Sequence, residues 1–335
     1  MTPLILGLAG TSLSAEERAF FADVDPAGFI LFRRNVETAD QLRALTDALR
    51  EIVGRADVPI LIDQEGGRVA RMQPPVWPAF PKAELFDRLY GVAPASAIEA
   101  ARANAQAIAT MLFEAGINVN CLPLLDVRQP DAHDIIGDRA LGAEPLRVAA
   151  LGRAVLEGMQ AAGVVGVVKH IPGHGRAMAD SHVELPVVTA DEAELEKDLA
   201  PFITLNGAPM GMTAHVVYTA WDADECASLS AKVIGGIIRG RIGFDGLLMS
   251  DDLGMHALQG DFGQRAAGVL AAGCDIALHC SGDMAEMQAI ADAVGPIGEE
   301  AKTRLDRAMA TVAGRTPGTG FAELVAKRDA LLEYA

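Results

Sequence analysis

The sequence predicts an α/β fold, a single-domain (β/α)8 barrel covering residues 1–335. Three observations carry this expectation. Eight short apolar runs recur along the chain, mostly separated by stretches of helical periodicity. No GxGxxG opens a helix after the first run, which weakens a dinucleotide-binding, doubly wound alternative. Residues able to do chemistry gather directly after the runs, where a barrel builds its active site.

Residues 4–9 form the first run and 28–32 the second. Residues 38–53 read as an amphipathic helix opened by Thr38 and Gln41 at capping-box spacing. The third strand is 58–63, followed by an Ala-rich helix at 95–114 and a fourth strand region at 117–126, interrupted by Pro123. A helix at 146–162 leads into the fifth strand at Val164. There Val164, Val165, Val167 and Val168, broken only by Gly166, describe a strand buried on both faces. Thr189 and Glu192 open another capped helix, and 209–213 is the sixth strand. Residues 230–241 are helical, 246–250 the seventh strand and 274–279 the eighth. From about Asp283 the tail reads as helices that close the outer layer. No linker rich in Pro, Gly or Ser interrupts this alternation, so one domain is expected.

Composition narrows the function classes. Half of the residues are hydrophobic and only 5% aromatic, which suits a large aliphatic core. A net charge of −17 and a pI near 4.8 argue against nucleic acid or anionic membrane surfaces as partners. Cys121, Cys226, Cys274 and Cys280 are scattered without a CxxC pair, so neither a disulfide framework nor a zinc knuckle is indicated. The N-terminus lacks a basic region and turns polar too early for a signal peptide, and no apolar run is long enough to span a bilayer. A cytoplasmic monomer acting on a small molecule, with no cofactor and no metal, is the expectation.

The third run ends in Asp63, Gln64, Glu65, Gly66, Gly67 and Arg68, with Arg71 close behind. His133, Asp134, Asp138 and Arg139 follow the fourth. The fifth surfaces at Lys169 and His170, then a Pro-Gly-His-Gly turn (172–175) leads to Asp180, Ser181 and His182. His215 ends the sixth, Ser250, Asp251 and Asp252 the seventh with His256 beyond, and His279 the eighth. All seven histidines therefore stand at or after strand ends. Asp251 offers a nucleophilic carboxylate, and strand alternation lets only one of Asp251 and Asp252 point into the mouth. Asp180 is close enough in sequence to orient the His182 imidazole as a general acid/base. Lys169, Arg71 and Arg139, with Asp63, are suited to grip the hydroxyls of a polar ligand. Together these groups suggest cleavage of a glycosidic bond through a covalent intermediate.

Four blocks then carry a resemblance: IDQEGGRVARM (62–72), GDR (137–139), KHIPGHG with DSH four residues on (169–182), and SDDLGM (250–255). In this order they resemble glycoside hydrolase family 3, and within it the single-domain bacterial β-N-acetylglucosaminidases. The resemblance implies a (β/α)8 barrel. It places Asp251 as the nucleophile, His182 as the acid/base with Asp180 its partner, and Asp63, Arg71, Arg139, Lys169 and His170 around an N-acetylglucosamine unit. It further implies N-acetylglucosaminyl-anhydromuramyl peptides as substrate, in cytoplasmic cell-wall recycling. One departure is Leu141, where the family pattern suggests an aromatic residue; it bears on packing beside Arg139.

Each assignment has a plainer competitor. Asp251 can cap the next helix, His182 can be a solvated loop histidine, and Lys169 and His170 can be a strand-end ion pair and a core histidine. His174 is expected to hold its turn, Glu65 and Arg68 to pair with each other or with strands below, Asp252 to hydrogen-bond behind Asp251, and Met210, Met212 and Met249 to be core. Among other functions, a metal-dependent barrel hydrolase is weakened because neither an HxH at the first strand end nor an HExxH occurs. A binding protein that has lost its chemistry stays open on fold grounds alone. Within the enzyme class, a β-glucosidase-like or phosphorolytic relative is the runner-up, since a histidine acid does not repel phosphate as a carboxylate does.

Overall fold

The computed structural model describes residues 1–130, 132–181 and 184–335. The apolar runs become β1 (Thr2–Leu6), β2 (Pro26–Leu31), β3 (Ile60–Ile62), β4 (Val119–Asn120) and β5 (Val165–Ile171). Two short strands, β6 (Val187–Val188) and β8 (Val217–Tyr218), flank β7 (Met210–Thr213), and β9 (Leu247–Asp252) and β10 (Ile276–His279) follow. Among the described residues, β1, β2, β3, β4, β5, β7, β9 and β10 pair in parallel and close on themselves. Closure is the pairing of Leu4, Ile5 and Leu6 with Ala277, Leu278 and His279. The expected (β/α)8 barrel is the observed fold. β6 and β8 form a separate parallel pair that the sequence did not announce.

Strand alternation sorts the residues between two cores. Ile5, Leu61, Val165, Val167, Met210, Leu247 and Met249 fill the barrel interior. Leu4, Leu6, Ile60, Ile62, Val168 and Leu248 instead pack outward. The outer layer contains α1 (Ala15–Val24), α2 (Ala39–Val53), α3 (Glu84–Val92), α4 (Pro94–Glu114), α5 (Pro145–Ala161) and α6 (Glu192–Thr204). It continues with a π-wound segment (Val233–Arg241), then α7 (Phe262–Ala272), α8 (Met284–Ala293), α9 (Glu299–Ala310) and α10 (Phe321–Leu332). Among the described residues no helix is long and apolar enough to cross a membrane.

Several element ends differ from expectation for identifiable reasons. β4 keeps only two ladder residues, because Leu122 N–H folds back onto Asn120 O at 2.7 Å and Pro123 beyond it has no N–H to donate; further on Leu124 makes one isolated bridge to Lys169. β5 runs through Lys169 and His170, and β9 through Asp251 and Asp252, so polar strand ends still join the ladder. α6 is capped by Asp191 and Glu194 rather than Thr189 and Glu192. The Asp191 side chain accepts from Glu194 N–H, and Glu194 accepts from Asp191 N–H. Thr38 does cap α2 by accepting from Gln41 N–H, but the Gln41 side chain turns to Glu37 N–H, leaving the box half made. The segment after Ser230 is helical yet wide, with Ile242 N–H reaching Ile237 O.

At the N-terminal end of the barrel Asp275 accepts from Arg239 at 2.7 Å, Arg304 at 2.9 Å and Leu248 N–H at 2.8 Å. Asp275 and the inner parts of both guanidinium groups are largely buried, so the shared acceptor compensates two cations at once. Asp275→Ala is expected to lower stability by about 3 kcal/mol. Equilibrium urea unfolding followed by tryptophan fluorescence measures it.

Candidate active site

The inward residue parity of each strand continues past its apolar core positions to the mouth. Asp63 follows Leu61, Lys169 follows Val165 and Val167, and Asp251 follows Leu247 and Met249. The result is a cavity of about 250 Å³ at the C-terminal end of the barrel. Asp63, Glu65, Arg71, Arg139, Lys169, His170, Asp251 and Asp252 line it together with apolar Ile30, Phe32, Met212 and Leu278.

Its wall is a chain of alternating charges. Arg71 Nη2 donates to Asp63 Oδ2 at 3.0 Å, and Lys169 Nζ donates to Asp63 Oδ1 at 3.0 Å. Lys169 Nζ also meets Glu65 Oε1 at 2.7 Å. Arg139 grips Glu65 through two bonds of 2.8 Å, Nε to Oε2 and Nη2 to Oε1. Lys169 is only 2% exposed. Burial works to discharge it, but Asp63 and Glu65 outweigh that and hold its ammonium above the ordinary lysine range. Burial likewise opposes the carboxylates, yet Lys169 and Arg71 hold Asp63 well below the usual range, and Lys169 and Arg139 hold Glu65 below its ordinary value. Arg71 Nε is buried without a protein partner.

Asp251 Oδ1 accepts from Asp252 N–H at 2.8 Å. Burial pushes its carboxyl up, but His215, His170, that N–H and Lys169 together hold it below the ordinary value, so it is ionised at neutral pH. Asp252 Oδ1 instead accepts from Gly254 N–H at 2.9 Å and Cys280 N–H at 3.0 Å, the supporting role expected of it. His215 is fully buried; its Nε2 donates to Asp252 O at 3.0 Å and its Nδ1 meets Ser228 Oγ at 2.8 Å.

A second buried carboxylate lies behind His170. Asp126 Oδ2 is 2.8 Å from His170 Nδ1, while Oδ1 accepts from His170 N–H at 3.2 Å and His174 N–H at 2.6 Å. The Pro-Gly-His-Gly turn fits against this strand end only with glycine at 175, since a Cβ there would lie 2.0 Å from Val127 O. His174 is enclosed by the turn, and its Nε2 reaches Ser181 Oγ at 3.4 Å. Burial and neighbouring His170 lower its pKa to about 4, so the ring is neutral at pH 7.

Of the residues singled out in the sequence, Asp63, Arg71, Arg139, Lys169, His170 and Asp251 meet at this one cavity. Asp180 is partly buried in the loop after the turn, next to Ser181, which lines the cavity. His182 lies outside the described residues. The expected pairing of Glu65 with Arg68 is not made. Glu65 joins Lys169 and Arg139, and Arg68 instead binds Asp138 at 2.9 Å and the carbonyl of Ile135 at 3.0 Å. Arg139 is committed to Glu65 and the Ile135 carbonyl rather than held free for a ligand. His133 and His256 are exposed and do not line the cavity, while His279 is buried against Glu286 and Ser281. Met210 and Met249 are core as expected, and Met212, also buried, forms part of the cavity wall. Leu141 packs in the outer core. Among the described residues no cluster of His, Cys, Asp and Glu is arranged to hold a metal ion. Asp126 was missed because nothing in a strand-end Asp signals a partner 44 residues away.

Acid should destabilise the fold in two stages. His174 has a folded pKa of about 4 against 6.5, so the stability it contributes is complete above pH 6.5 and is lost as pH falls toward 4, about 3 kcal/mol in all. His215, also lowered chiefly by burial, adds in the same direction. Asp63, Glu65 and Asp126 (about 2) are depressed carboxylates, whose contribution is present above about pH 4 and lost as pH falls through their folded values. Thermal midpoints recorded from pH 7.5 to 3 are expected to decline from pH 6.5 downward, and His174→Asn to flatten the upper part of that decline.

Comparison with known proteins places this site in a family. The model described as "Glycosyl hydrolase family 3 N terminal domain" matches residues 5–314. A beta-hexosaminidase of Alkalilimnicola ehrlichii is 40% identical over 284 residues, covering 83% of this chain and 80% of the relative. The crystal structure of NagZ from Neisseria gonorrhoeae in complex with N-trifluoroacetyl-D-glucosamine superimposes with a TM-score of 0.87 at 30% identity, covering 100% of this chain and 98% of that one. A glycoside hydrolase family 3 beta-N-acetylglucosaminidase from a Paenibacillus species gives a TM-score of 0.80 at 32% identity, over 98% of this chain and 61% of that one. The barrel, its mouth and these matches agree: the chain belongs to glycosyl hydrolase family 3 and is a glycoside hydrolase.

Proposed function

We propose that the chain is a retaining exo-β-N-acetylglucosaminidase that hydrolyses terminal, non-reducing β-linked N-acetylglucosamine. One observation carries the reading: an ionised, inward-facing carboxylate, Asp251, stands in a cavity whose lining cations and carboxylates, Asp251 included, balance one another. Such a cavity suits an uncharged sugar. The four cations Arg68, Arg71, Lys169 and Arg139 face the four carboxylates Asp63, Glu65, Asp251 and Asp252. The N-acetylated sugar preference is supported by the names of the relatives, one of which binds an N-acylated glucosamine. In this reading Asp251 attacks the anomeric carbon as the glycosidic C–O bond breaks, and His182, oriented by Asp180, protonates the departing oxygen. Water, deprotonated by His182, then displaces Asp251 and regenerates both groups. Asp63, Arg71, Lys169, His170 and Arg139 hold the sugar, directly or through the charge chain. The biological substrate in this proposal is an N-acetylglucosaminyl-1,6-anhydro-N-acetylmuramyl peptide turned over in cytoplasmic peptidoglycan recycling, with the whole chain acting as one monomeric catalytic domain.

Release of p-nitrophenol from the aryl β-N-acetylglucosaminide, with the β-glucoside alongside, tests the reading. Wild type is expected to cleave the N-acetyl sugar by preference, and Asp251→Asn to lose about 10⁴-fold or more in kcat with unchanged folding. A wild type that cleaves neither sugar, or an active Asp251→Asn, overturns it. His182→Ala is expected to slow alkyl glycosides and disaccharides by about 10²–10⁴-fold but activated aryl glycosides far less, because a good leaving group needs little protonation. Equal losses on both substrate types would remove His182 from the acid role.

A further inference from the structure

The fully buried carboxylate of Asp126 touches no part of the cavity, yet it controls the residue that does. Its Oδ1 accepts from the backbone N–H groups of His170 and His174, and its Oδ2 faces His170 Nδ1 at 2.8 Å. An ionised carboxylate is an acceptor at every position, so the imidazole nitrogen opposite it must carry the hydrogen. His170 lines the cavity with the remainder of its ring. We propose that Asp126 is a positioning residue: it holds a hydrogen of the His170 ring on Nδ1, the tautomer in which Nε2 is presented to the sugar as a hydrogen-bond acceptor. The proposal deepens the glycosidase reading and rests on it for its effect on rate, though not for the tautomer itself.

One feature separates this role from ordinary packing. The bonds to the two backbone N–H groups and the bond to the ring use different oxygens of the same carboxylate. Asp126→Asn can therefore keep Oδ1 as acceptor for both N–H groups while placing an NH₂ against His170 Nδ1. That nitrogen must then accept, and the ring hydrogen moves to Nε2. A donor now faces the cavity where an acceptor stood, beside the ionised Asp251, whose carboxylate is within electrostatic reach of His170. The substitution thus reverses the polarity of the ring's cavity edge while sparing the turn that leads to Ser181.

The first measurement is nitrogen-15 NMR of the imidazoles in wild type and Asp126→Asn, with His170 assigned by its absence in His170→Ala. The expected result is hydrogen on Nδ1 in wild type and on Nε2 in the variant. Alongside it, kcat/KM for the aryl β-N-acetylglucosaminide should fall about 10–100-fold in Asp126→Asn, with a urea midpoint near that of wild type. In a His170→Ala background the same substitution should cost almost nothing further. Hydrogen on Nε2 in the wild type overturns the proposal without any variant having to fold. So does a changed tautomer with unchanged kcat/KM, or an equal loss in the His170→Ala background, which would make Asp126 merely structural. If wild type hydrolyses no N-acetylglucosaminide, the glycosidase reading fails, and the NMR comparison still decides whether Asp126 sets the ring.

Discussion

The mouth of the barrel depends on the ammonium of Lys169 being held between two carboxylates. A lysine 2% exposed would ordinarily lose its proton or destabilise the fold, because removing an ammonium from water costs several kcal/mol. Asp63 and Glu65 reverse that balance, and each is itself compensated from the far side by Arg71 and Arg139. No pair in this chain is self-sufficient. Asp63, Glu65 and Lys169 each hold two partners, so removing any one member strips a buried neighbour of part of its compensation, and the five side chains act as a unit that holds the cavity's polar wall in place before a ligand arrives. Such preorganisation avoids reorganisation cost during the reaction.

The barrel supplies the geometry that this unit requires. Asp63, Lys169 and Asp251 come from strands far apart in sequence, yet all occupy the inward parity of their strands beyond a stack of aliphatic residues. Parallel pairing puts all these strand ends on the same rim. The same alternation separates Asp251 from Asp252. The first continues the inward series of Leu247 and Met249, while the second turns its carboxylate to the N–H groups of Gly254 and Cys280. A one-residue shift of β9 would exchange these roles.

How much of this was legible follows from the range of the interactions involved. The eight strands could be read because each is an aliphatic run, and the motif blocks could be read because they are contiguous. Strand ends could not. Lys169 and Asp251 look like loop residues by composition, but their backbones still pair with neighbouring strands. Helix α1 was passed over although Ser14 and Glu17 form a complete capping box, since only Glu17, Phe20 and Phe21 are buried and the apolar stripe is short. α6 presented two overlapping capping patterns two residues apart, and Asp191 was the one used. Glu65 had several cations within reach along the chain. Only the fold shows that Arg139, 74 positions away, is its bidentate partner.

Asp126 and the Asp63–Glu65 pair show two ways of keeping a buried carboxylate ionised, with different consequences. Asp63 and Glu65 are neutralised by cations, so their charge is used up locally and serves to fix Lys169 and the arginines. Among the described residues Asp126 has no Lys or Arg as a hydrogen-bond partner; it is held by two backbone N–H groups and one imidazole. Those dipoles stabilise the charge without cancelling it, and the remaining negative potential bears on His170. A lysine at the same place would have held Asp126 equally well and left the histidine without a preferred tautomer. The choice of N–H donors over a cation is therefore what allows a carboxylate outside the cavity to determine the polarity of a ring inside it.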